Sequence, residues 1–123
     1  MKRVVLHASA FADWFSEDDL TGLRLEFEEG HLEVVVPRSL VVDTMAILAA
    51  RGWSADRIER AGSEFPRLGF TVIDAPSAEL AFWLVRGLSA SAAGYAALAS
   101  WLNIPIAVTD PDVKLVLRTL PQL

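Results

Sequence analysis

Cysteine is absent from this chain of 123 residues, so disulfide bonds and thiol chemistry are excluded, and the composition fits a reducing compartment. Long apolar runs are absent as well. The two longest candidates, residues 40–50 and 90–102, are interrupted by polar residues or glycine and fall short of the ~20 residues that span a bilayer. The apolar stretch at residues 4–6 is too short for a secretory signal peptide. We therefore expect a cytoplasmic protein with no membrane segment.

An excess of positive charge is also missing. The formal net charge is −5, whereas phosphate binding rests on clustered lysine and arginine, so a general nucleic-acid-binding protein is disfavoured. One segment nevertheless contains Arg51, Arg57, Arg60 and Arg67. The acidic residues interleaved with them favour a solvated helix surface over an RNA-contacting patch. RNA stays open as a partner through such a local patch.

What the chain has in abundance is apolar residues, which make up 53% of the sequence. This content is typical of buried parallel strands with helices packed on both faces. Short apolar runs alternate with helical patterns, without a linker, repeat or low-complexity tract, which predicts βαβ units and a parallel sheet. We therefore expect one domain over residues 1–123, with an α/β fold of three layers, α/β/α, around a small parallel sheet.

Turn and capping residues divide the chain into predicted elements. Strands are expected at residues 3–6, 32–36, 70–73 and 106–109. Helices are expected at residues 10–15, 16–27, 40–50, 55–68, 77–85 and 90–102, and a further helix begins at Pro111. Ser16 and Asp19 are typical of a capping box, and Ser54 and Ser89 are expected to cap the helices that follow them.

Polar residues follow the predicted strands at the points where the strands end. His7 and Ser9 follow the first strand, Asp110 and Asp112 follow the last, and Asp43 lies one turn into the helix after the second. Ligands of open parallel sheets bind at the carboxyl ends of the strands, near the point where the strand order reverses. Carboxylates clustered there would suit Mg²⁺ or Mn²⁺, which can activate water for phosphoryl displacement.

Each of these acids also has an ordinary structural interpretation. Asp110 precedes Pro111 and is well suited to cap a helix. Asp112 is favourable in a first helical turn because of the helix dipole, and Asp43 fits an exposed helix position. For any one acid alone, we favour the structural interpretation over metal binding.

Four segments resemble the motifs of one protein family in their order and spacing. Residues 4–11 resemble a strand followed by Asp-x-Ser-Ala and a helix, and residues 35–48 resemble a proline and an apolar run before an acidic residue on a helix. Residues 88–99 and 104–110 resemble a third, helical motif and a final strand ending in Thr-x-Asp. The family is that of the PIN-domain ribonucleases, in particular the small VapC-type toxins of prokaryotes. The resemblance covers nearly the whole chain and implies the PIN fold.

The resemblance also implies a site in which about four acids hold Mg²⁺ for RNA hydrolysis. In this chain His7 stands at the first acidic position and Ala92 at the third, while Asp43 and Asp110 remain at the second and fourth. The residues expected to line the site are His7, Ser9, Ala92 and Thr109. Because neutral histidine is a poor ligand for Mg²⁺ and alanine offers none, we expect weak metal affinity and little hydrolysis.

Two functions therefore stay open. In the first, the chain is a PIN-like binding or regulatory domain with an impaired nuclease site and no required metal. In the second, it is an active endoribonuclease toxin of a toxin–antitoxin pair, with Mg²⁺ or Mn²⁺ held by Asp43, Asp110 and Asp112. Asp13 is a weaker substitute ligand, because its position in the first helix points it away. A mixed site of His7, Asp43 and Asp110 for Mn²⁺, Fe²⁺ or Zn²⁺ is a further alternative.

A homodimer is the expected assembly. Phe11, Trp14 and Phe15 have the helical spacing of an exposed apolar ridge, one alternative for this helix. For Trp14, as for Trp53, Phe82, Trp83 and Trp101, packing between helices and the sheet is favoured over a base-stacking surface. The family resemblance also implies a homodimer. In toxins of the family, an antitoxin peptide covers an apolar groove and inserts near the acidic pocket. An antitoxin-like protein is therefore a candidate partner of this chain.

Overall fold

The computed structural model describes residues 1–15 and 22–123. Its centre is a sheet of four parallel strands: β1 (Lys2–Leu6), β2 (Leu32–Val36), β3 (Thr71–Val72) and β4 (Ile106–Ala107). The spatial order is β3-β2-β1-β4, so that β1 lies between β2 and β4. The predicted α/β fold class with a small parallel sheet is confirmed.

The C-terminal halves of the two central strands, residues 4–6 and 34–36, are buried and entirely apolar, as expected where helices cover both faces of a sheet. Val5 of β1 lies opposite Val35 of β2 on one side and Ile106 of β4 on the other, and all three are fully buried. The strands β3 and β4 are shorter than the predictions of 70–73 and 106–109. Both residues of β3 are exposed, in keeping with a short strand at the edge of the sheet.

Seven helices lie in the described part of the chain: α1 (Ala8–Trp14), α2 (Leu23–Glu28), α3 (Leu40–Ala50), α4 (Ala55–Leu68), α5 (Ser77–Leu84), α6 (Ala90–Leu102) and α7 (Pro111–Val116). The predicted caps Ser54 and Ser89 are confirmed, because their hydroxyl oxygens accept hydrogen bonds from the backbone N–H groups of Arg57 and Ala92. The predicted capping box of Ser16 and Asp19 lies outside the described residues. None of these helices combines the length and apolar content needed to cross a membrane.

The helices form layers on the two faces of the sheet. Helix α6 packs on β1 and β4, and α5 packs against α6. Helix α3 packs against both α1 and α4. The alanine-rich face of α6 approaches the sheet closely, and Leu98 from the middle of this helix is fully buried. Asn103, with φ 55°, ends α6 in the left-handed conformation that short polar side chains tolerate. The result is the predicted three-layer arrangement.

The aromatic residues of α1 belong to the core and form no surface ridge. Phe11 and Trp14 are 2% and 4% exposed, and their ring centroids lie 5.4 and 5.6 Å from that of Phe70. Phe15 is partly buried and lies edge-on to Phe11, and Phe27 packs against Trp14. The predicted exposed ridge is wrong, because α2 and the segment before β3 supply aromatic partners that local helical spacing does not reveal.

The strand order reverses at β1. From β1 the chain proceeds to β2 and β3 on one side and then returns to β4 on the other side. All four strands are parallel, so their carboxyl ends meet at one edge of the sheet. His7 follows β1 at this edge and residues 108–110 follow β4. This reversal is the location at which open α/β sheets bind ligands.

Candidate functional site

His7 follows β1 and caps helix α1. Its backbone is extended (φ −73°, ψ 152°), and its Nδ1 accepts a hydrogen bond of 3.0 Å from the backbone N–H of Ser9. Histidine is an uncommon N-cap, because serine, threonine, aspartate and asparagine dominate that position. This cap was not predicted from the sequence, and the predicted helix therefore began at Ala10, although the helix begins at Ala8.

The hydroxyl group of Ser9 joins His7 to the end of β4. Its Oγ accepts hydrogen bonds from the backbone N–H groups of Thr109 at 3.1 Å and Asp110 at 3.2 Å, and it lies 2.9 Å from His7 Nδ1. A serine hydroxyl has two acceptor lone pairs and one proton, so these two bonds leave the proton for Nδ1. Because Nδ1 accepts from Ser9, the proton of the neutral His7 ring is on Nε2.

The His7 ring is uncharged at neutral pH. The residue is 6% exposed, and burial lowers the pKa of its imidazole from 6.5 to about 4. The carboxylates of Asp43 and Asp110 raise this pKa, but their effect is smaller than that of burial. Both acids therefore act electrostatically on the same ring, and His7 is the common neighbour of the two acids retained in the family resemblance.

Asp43 lies in the first turn of α3, and two hydroxyl groups of α6 donate to its carboxylate. Ser91 Oγ and Tyr95 Oη each lie 2.9 Å from Asp43 Oδ2. Tyr95 is fully buried, and its burial, with the nearby Asp43 charge, raises the pKa of the phenol. The phenol therefore keeps its proton and acts as a donor. The centroid of the Tyr95 ring lies 4.5 Å from that of His7, which links α3 and α6 to the end of β1.

We refer to His7, Ser9, Asp43, Tyr95 and Asp110 as the sheet-edge site. Four of these were predicted from the sequence, and the structure connects them through hydrogen bonds, ring contact and charge. The roles of the Tyr95 and Ser91 hydroxyl groups were not predicted from the sequence. One signal was present, because a serine and the chain's single tyrosine lie four positions apart in a run of alanine and glycine, which puts both hydroxyls on one helix face.

Asp110 has the structural role that its position before Pro111 indicates. Its Oδ1 accepts hydrogen bonds from the backbone N–H groups of Asp112 at 2.9 Å and Val113 at 3.2 Å, and so caps α7. Asp112 is exposed and, together with Ala92, lines a groove of about 250 Å³ between α6 and α7. Asp112 therefore neighbours the sheet-edge site through Asp110 and borders a separate groove.

One carboxylate oxygen of each retained acid is engaged in protein hydrogen bonds. Asp43 Oδ2 accepts from two hydroxyl groups, and Asp110 Oδ1 accepts from two backbone amides. Across residues 1–15 and 22–123, no three histidine, aspartate or glutamate side chains are grouped so that they could hold a metal ion. The two retained acids are a smaller set of oxygen ligands than the about four acids that the family resemblance implies.

The mixed nitrogen–oxygen site also conflicts with the hydrogen bonds of His7. A metal ion binds a ring nitrogen through its lone pair, but the Nδ1 lone pair faces Ser9 and Nε2 carries the proton. A proton shift to Nδ1 would free Nε2 but would break the hydrogen bond that caps α1. Ligation of Mn²⁺, Fe²⁺ or Zn²⁺ by His7 would therefore require a local rearrangement.

Asp13 lies away from the sheet-edge site. Its Oδ1 forms an ion pair of 2.8 Å with Arg51, which is the C-cap of α3, at the opposite end of that helix from Asp43. The arginine-rich segment has other intramolecular contacts: the guanidinium of Arg57 stacks 3.9 Å above the Trp53 ring. These contacts agree with the interpretation of the segment as a helix surface.

No protein-family model matches this chain, and no curated protein matches it. Among solved structures, the chain is similar to the crystal structure of PAE2754 from Pyrobaculum aerophilum. The TM-score is 0.66 and the sequence identity is 19%, and the match covers 94% of this chain and 84% of that one. At this level of identity the likeness concerns the fold alone. Function must be argued from the sheet-edge site.

Proposed function

We propose that this chain is a PIN-like domain related to the VapC-type toxin ribonucleases, that its nuclease site is impaired, and that it acts as a binding or regulatory homodimer. The observation that carries the proposal is the hydrogen bonding of Ser9. Its hydroxyl and backbone N–H hold an uncharged His7, protonated on Nε2, where the family resemblance implies a metal-binding acid.

Histidine in place of an acid at position 7 preserves the cap of α1 and removes one negative charge from the site. An aspartate at this position would accept the same N-cap hydrogen bond from Ser9, and would add a negative charge beside Asp43 and Asp110. Histidine with a pKa of about 4 caps the helix without that charge. With Ala92 at the third acidic position, the site has lost two of the charges that would attract a divalent cation. The scaffold is retained and its metal affinity is reduced.

Exposed apolar side chains are candidates for the interface that the binding role requires. Val85 at the end of α5 is 81% exposed, Leu115 of α7 is 63% exposed and Val42 of α3 is 70% exposed. Large apolar residues at the surface are typical of association sites when they lie close together. A homodimer and an antitoxin-like protein remain the partners we propose, RNA remains a possible ligand, and the cytoplasm is the proposed location.

The second candidate is an active metal-dependent endoribonuclease. One observation favours it, namely that Asp43 and Asp110 both raise the pKa of His7 and so converge on one point at the sheet edge. Mg²⁺ or Mn²⁺ would be held through the carboxylates of Asp43 and Asp110, each of which has one oxygen engaged in protein hydrogen bonds. Asp112 would have to supply a further ligand from its groove.

Cleavage of a mixed-sequence RNA in the presence of Mg²⁺ and of Mn²⁺ distinguishes the two candidates. The panel contains the natural protein, its Asp110→Ala variant, the His7→Asp and Ala92→Asp double variant, and that double variant with Asp110→Ala. We expect no cleavage by the natural protein, cleavage by the double variant, and loss of that cleavage on Asp110→Ala. Cleavage by the natural protein that Asp110→Ala abolishes would overturn the proposal in favour of the second candidate.

The binding role has a separate test. Sedimentation equilibrium should give twice the monomer mass, and Val85→Glu with Leu115→Glu should reduce it to the monomer mass if these residues lie in the interface. Ala49→Glu, at an exposed position of α3, is the matched control. A natural protein that sediments as a monomer at all concentrations would contradict the homodimer.

A further inference from the structure

Helix α7 presents an apolar face to the solvent. Leu115 is 63% exposed and Val116 is 47% exposed, whereas Leu117, which caps the helix, is fully buried. Because successive residues of a helix are rotated by about 100°, Leu115 points away from the side on which Leu117 enters the core. Asp112 and Arg118 lie three positions before and three positions after Leu115, and both are exposed. We refer to Asp112, Leu115, Val116 and Arg118 as the α7 face, which has an apolar centre with an acid at one end and a base at the other.

The two charges of the α7 face have no ionic partner within the described part of the chain. Neither Asp112 nor Arg118 forms an ion pair with any residue of 1–15 or 22–123. One guanidinium nitrogen of Arg118 donates to the carbonyl oxygen of Leu115 at 2.9 Å, which holds the positive charge beside the apolar centre. A guanidinium has five N–H donors, so the remaining donors can still bind a carboxylate. Both charges are therefore available to pair with another molecule.

The arrangement of the α7 face is self-complementary under a two-fold axis. In a symmetric dimer, a contact of one residue with a second residue of the other copy is matched by the reverse contact. If two α7 helices pack antiparallel with Leu115 at the axis, Asp112 of each copy lies opposite Arg118 of the other. Two ion pairs then form at once, one on either side of the two leucines. A parallel arrangement would instead place acid against acid and base against base, which is unfavourable.

We propose that the α7 face is the surface on which two copies of this chain associate. The two helices lie antiparallel, the Leu115 side chains meet at the two-fold axis, and Asp112 of each copy pairs with Arg118 of the other. This inference rests on the homodimer proposed above and specifies its interface. Burial of the apolar centre favours association, and the charges fix the direction in which the helices pair.

The interface extends beyond α7. A stable dimer buries about 800 Å² on each partner, which is more than one short helix supplies. The turn between α5 and α6 adjoins the α7 face, because Leu88 of that turn and Val116 line the same groove of about 250 Å³. Val85, at the start of the turn, is 81% exposed. These apolar residues enlarge the surface that a second copy covers.

Charge reversal at the two ends of the α7 face tests this arrangement. Asp112→Arg makes both ends basic and Arg118→Asp makes both ends acidic, so each variant alone brings like charges together twice in the symmetric dimer. Sedimentation equilibrium should give a dimer dissociation constant that is raised by about tenfold or more for each variant. An equimolar mixture of the two variants should recover the natural affinity as a heterodimer, in which both pairs have opposite signs. Native mass spectrometry distinguishes this heterodimer from the two homodimers by mass.

A matched pair of charge reversals on α4 is the control. Asp56 lies in the first turn of α4, as Asp112 does in α7, and Arg67 lies in the last turn of α4. Asp56→Arg and Arg67→Asp should leave the dissociation constant unchanged, and their mixture should give a statistical distribution of dimers. Urea denaturation should show that all four variants fold, because all four residues are exposed.

The outcomes separate the α7 interface from the proposed function. A dimer that both reversals leave intact, or a mixture of the two α7 variants without preference for the heterodimer, overturns the α7 interface and leaves the homodimer standing. A natural protein that is monomeric at all concentrations overturns the homodimer and the α7 interface together.

Discussion

Acid should destabilise this protein through His7 specifically. The folded state lowers the pKa of the His7 imidazole from 6.5 to about 4 by burying it, whereas an unfolded chain leaves the ring near 6.5. Between these values the unfolded chain binds a proton that the folded protein does not, so the free energy of unfolding falls as the pH falls. The contribution is fully present above about pH 6.5 and has been lost below about pH 4.

The size of the effect follows from the same values. At about 1.4 kcal/mol per pKa unit, the difference between 6.5 and about 4 corresponds to about 3 kcal/mol, of which about 2 kcal/mol is lost by pH 5. A domain of this size has a total stability of roughly 5–15 kcal/mol, so this loss is measurable. The hydrogen bonds from Ser9 favour the neutral ring and act in the same direction as burial.

Urea denaturation at pH 7.5, 6.0 and 5.0 measures this contribution when the natural protein is compared with His7→Asn. Asparagine caps a helix through its side-chain oxygen and does not titrate, so the other acids contribute equally to both proteins. We expect the natural protein to lose about 2 kcal/mol more than His7→Asn between pH 7.5 and 5.0. Parallel pH profiles of the two proteins would refute the assignment of a buried neutral His7.

Three further predictions concern the stability of the fold and are measured by urea denaturation. Ser9→Ala removes the acceptor shared by two backbone N–H groups and should cost about 2–3 kcal/mol, against about 1 kcal/mol for the cap variant Ser54→Ala; equal losses would contradict the bridging role of Ser9. Tyr95→Phe and Asp43→Ala should show a coupling energy of about 1 kcal/mol or more in a double-mutant cycle, and strict additivity would rule out their hydrogen bond as a stabilising contact. Leu98→Ala should cost about 2–5 kcal/mol because the side chain is fully buried, and a loss well below that range would place Leu98 outside the core.

The sequence predicted the architecture well because the signals for it are local. Ser54 and Ser89 cap helices through their own following turns, and the apolar run of β2 lies between clear turn residues. β3 was predicted too long because its apolar residues continue beyond the two that pair with β2. The cap at His7 was missed because it depends on the protonation of one ring nitrogen, which residue type alone does not specify.

Contacts between distant segments were the part of the candidate site that was harder to predict from the sequence. The hydrogen bond from Tyr95 to Asp43 spans 52 positions, and the bonds from Thr109 and Asp110 to Ser9 span about 100. The sequence placed most of these residues at one sheet edge through the topology of parallel strands. Residue type and spacing do not specify which hydroxyl donates to which distant acceptor. They also do not specify which distant aromatic residues cover Phe11, so the predicted ridge placed Phe11 on the surface.

The protonation state of His7 tests the central claim most directly. Long-range ¹H–¹⁵N correlation spectra at pH 7 report which ring nitrogen of each histidine carries a proton, and His31→Gln leaves His7 as the only histidine to observe. The account predicts an uncharged His7 with the proton on Nε2, and a spectrum that stays unchanged when equimolar Zn²⁺ is added. A charged ring, a proton on Nδ1, or a Zn²⁺-dependent shift of the Nε2 signal would contradict it and would restore His7 as a metal ligand.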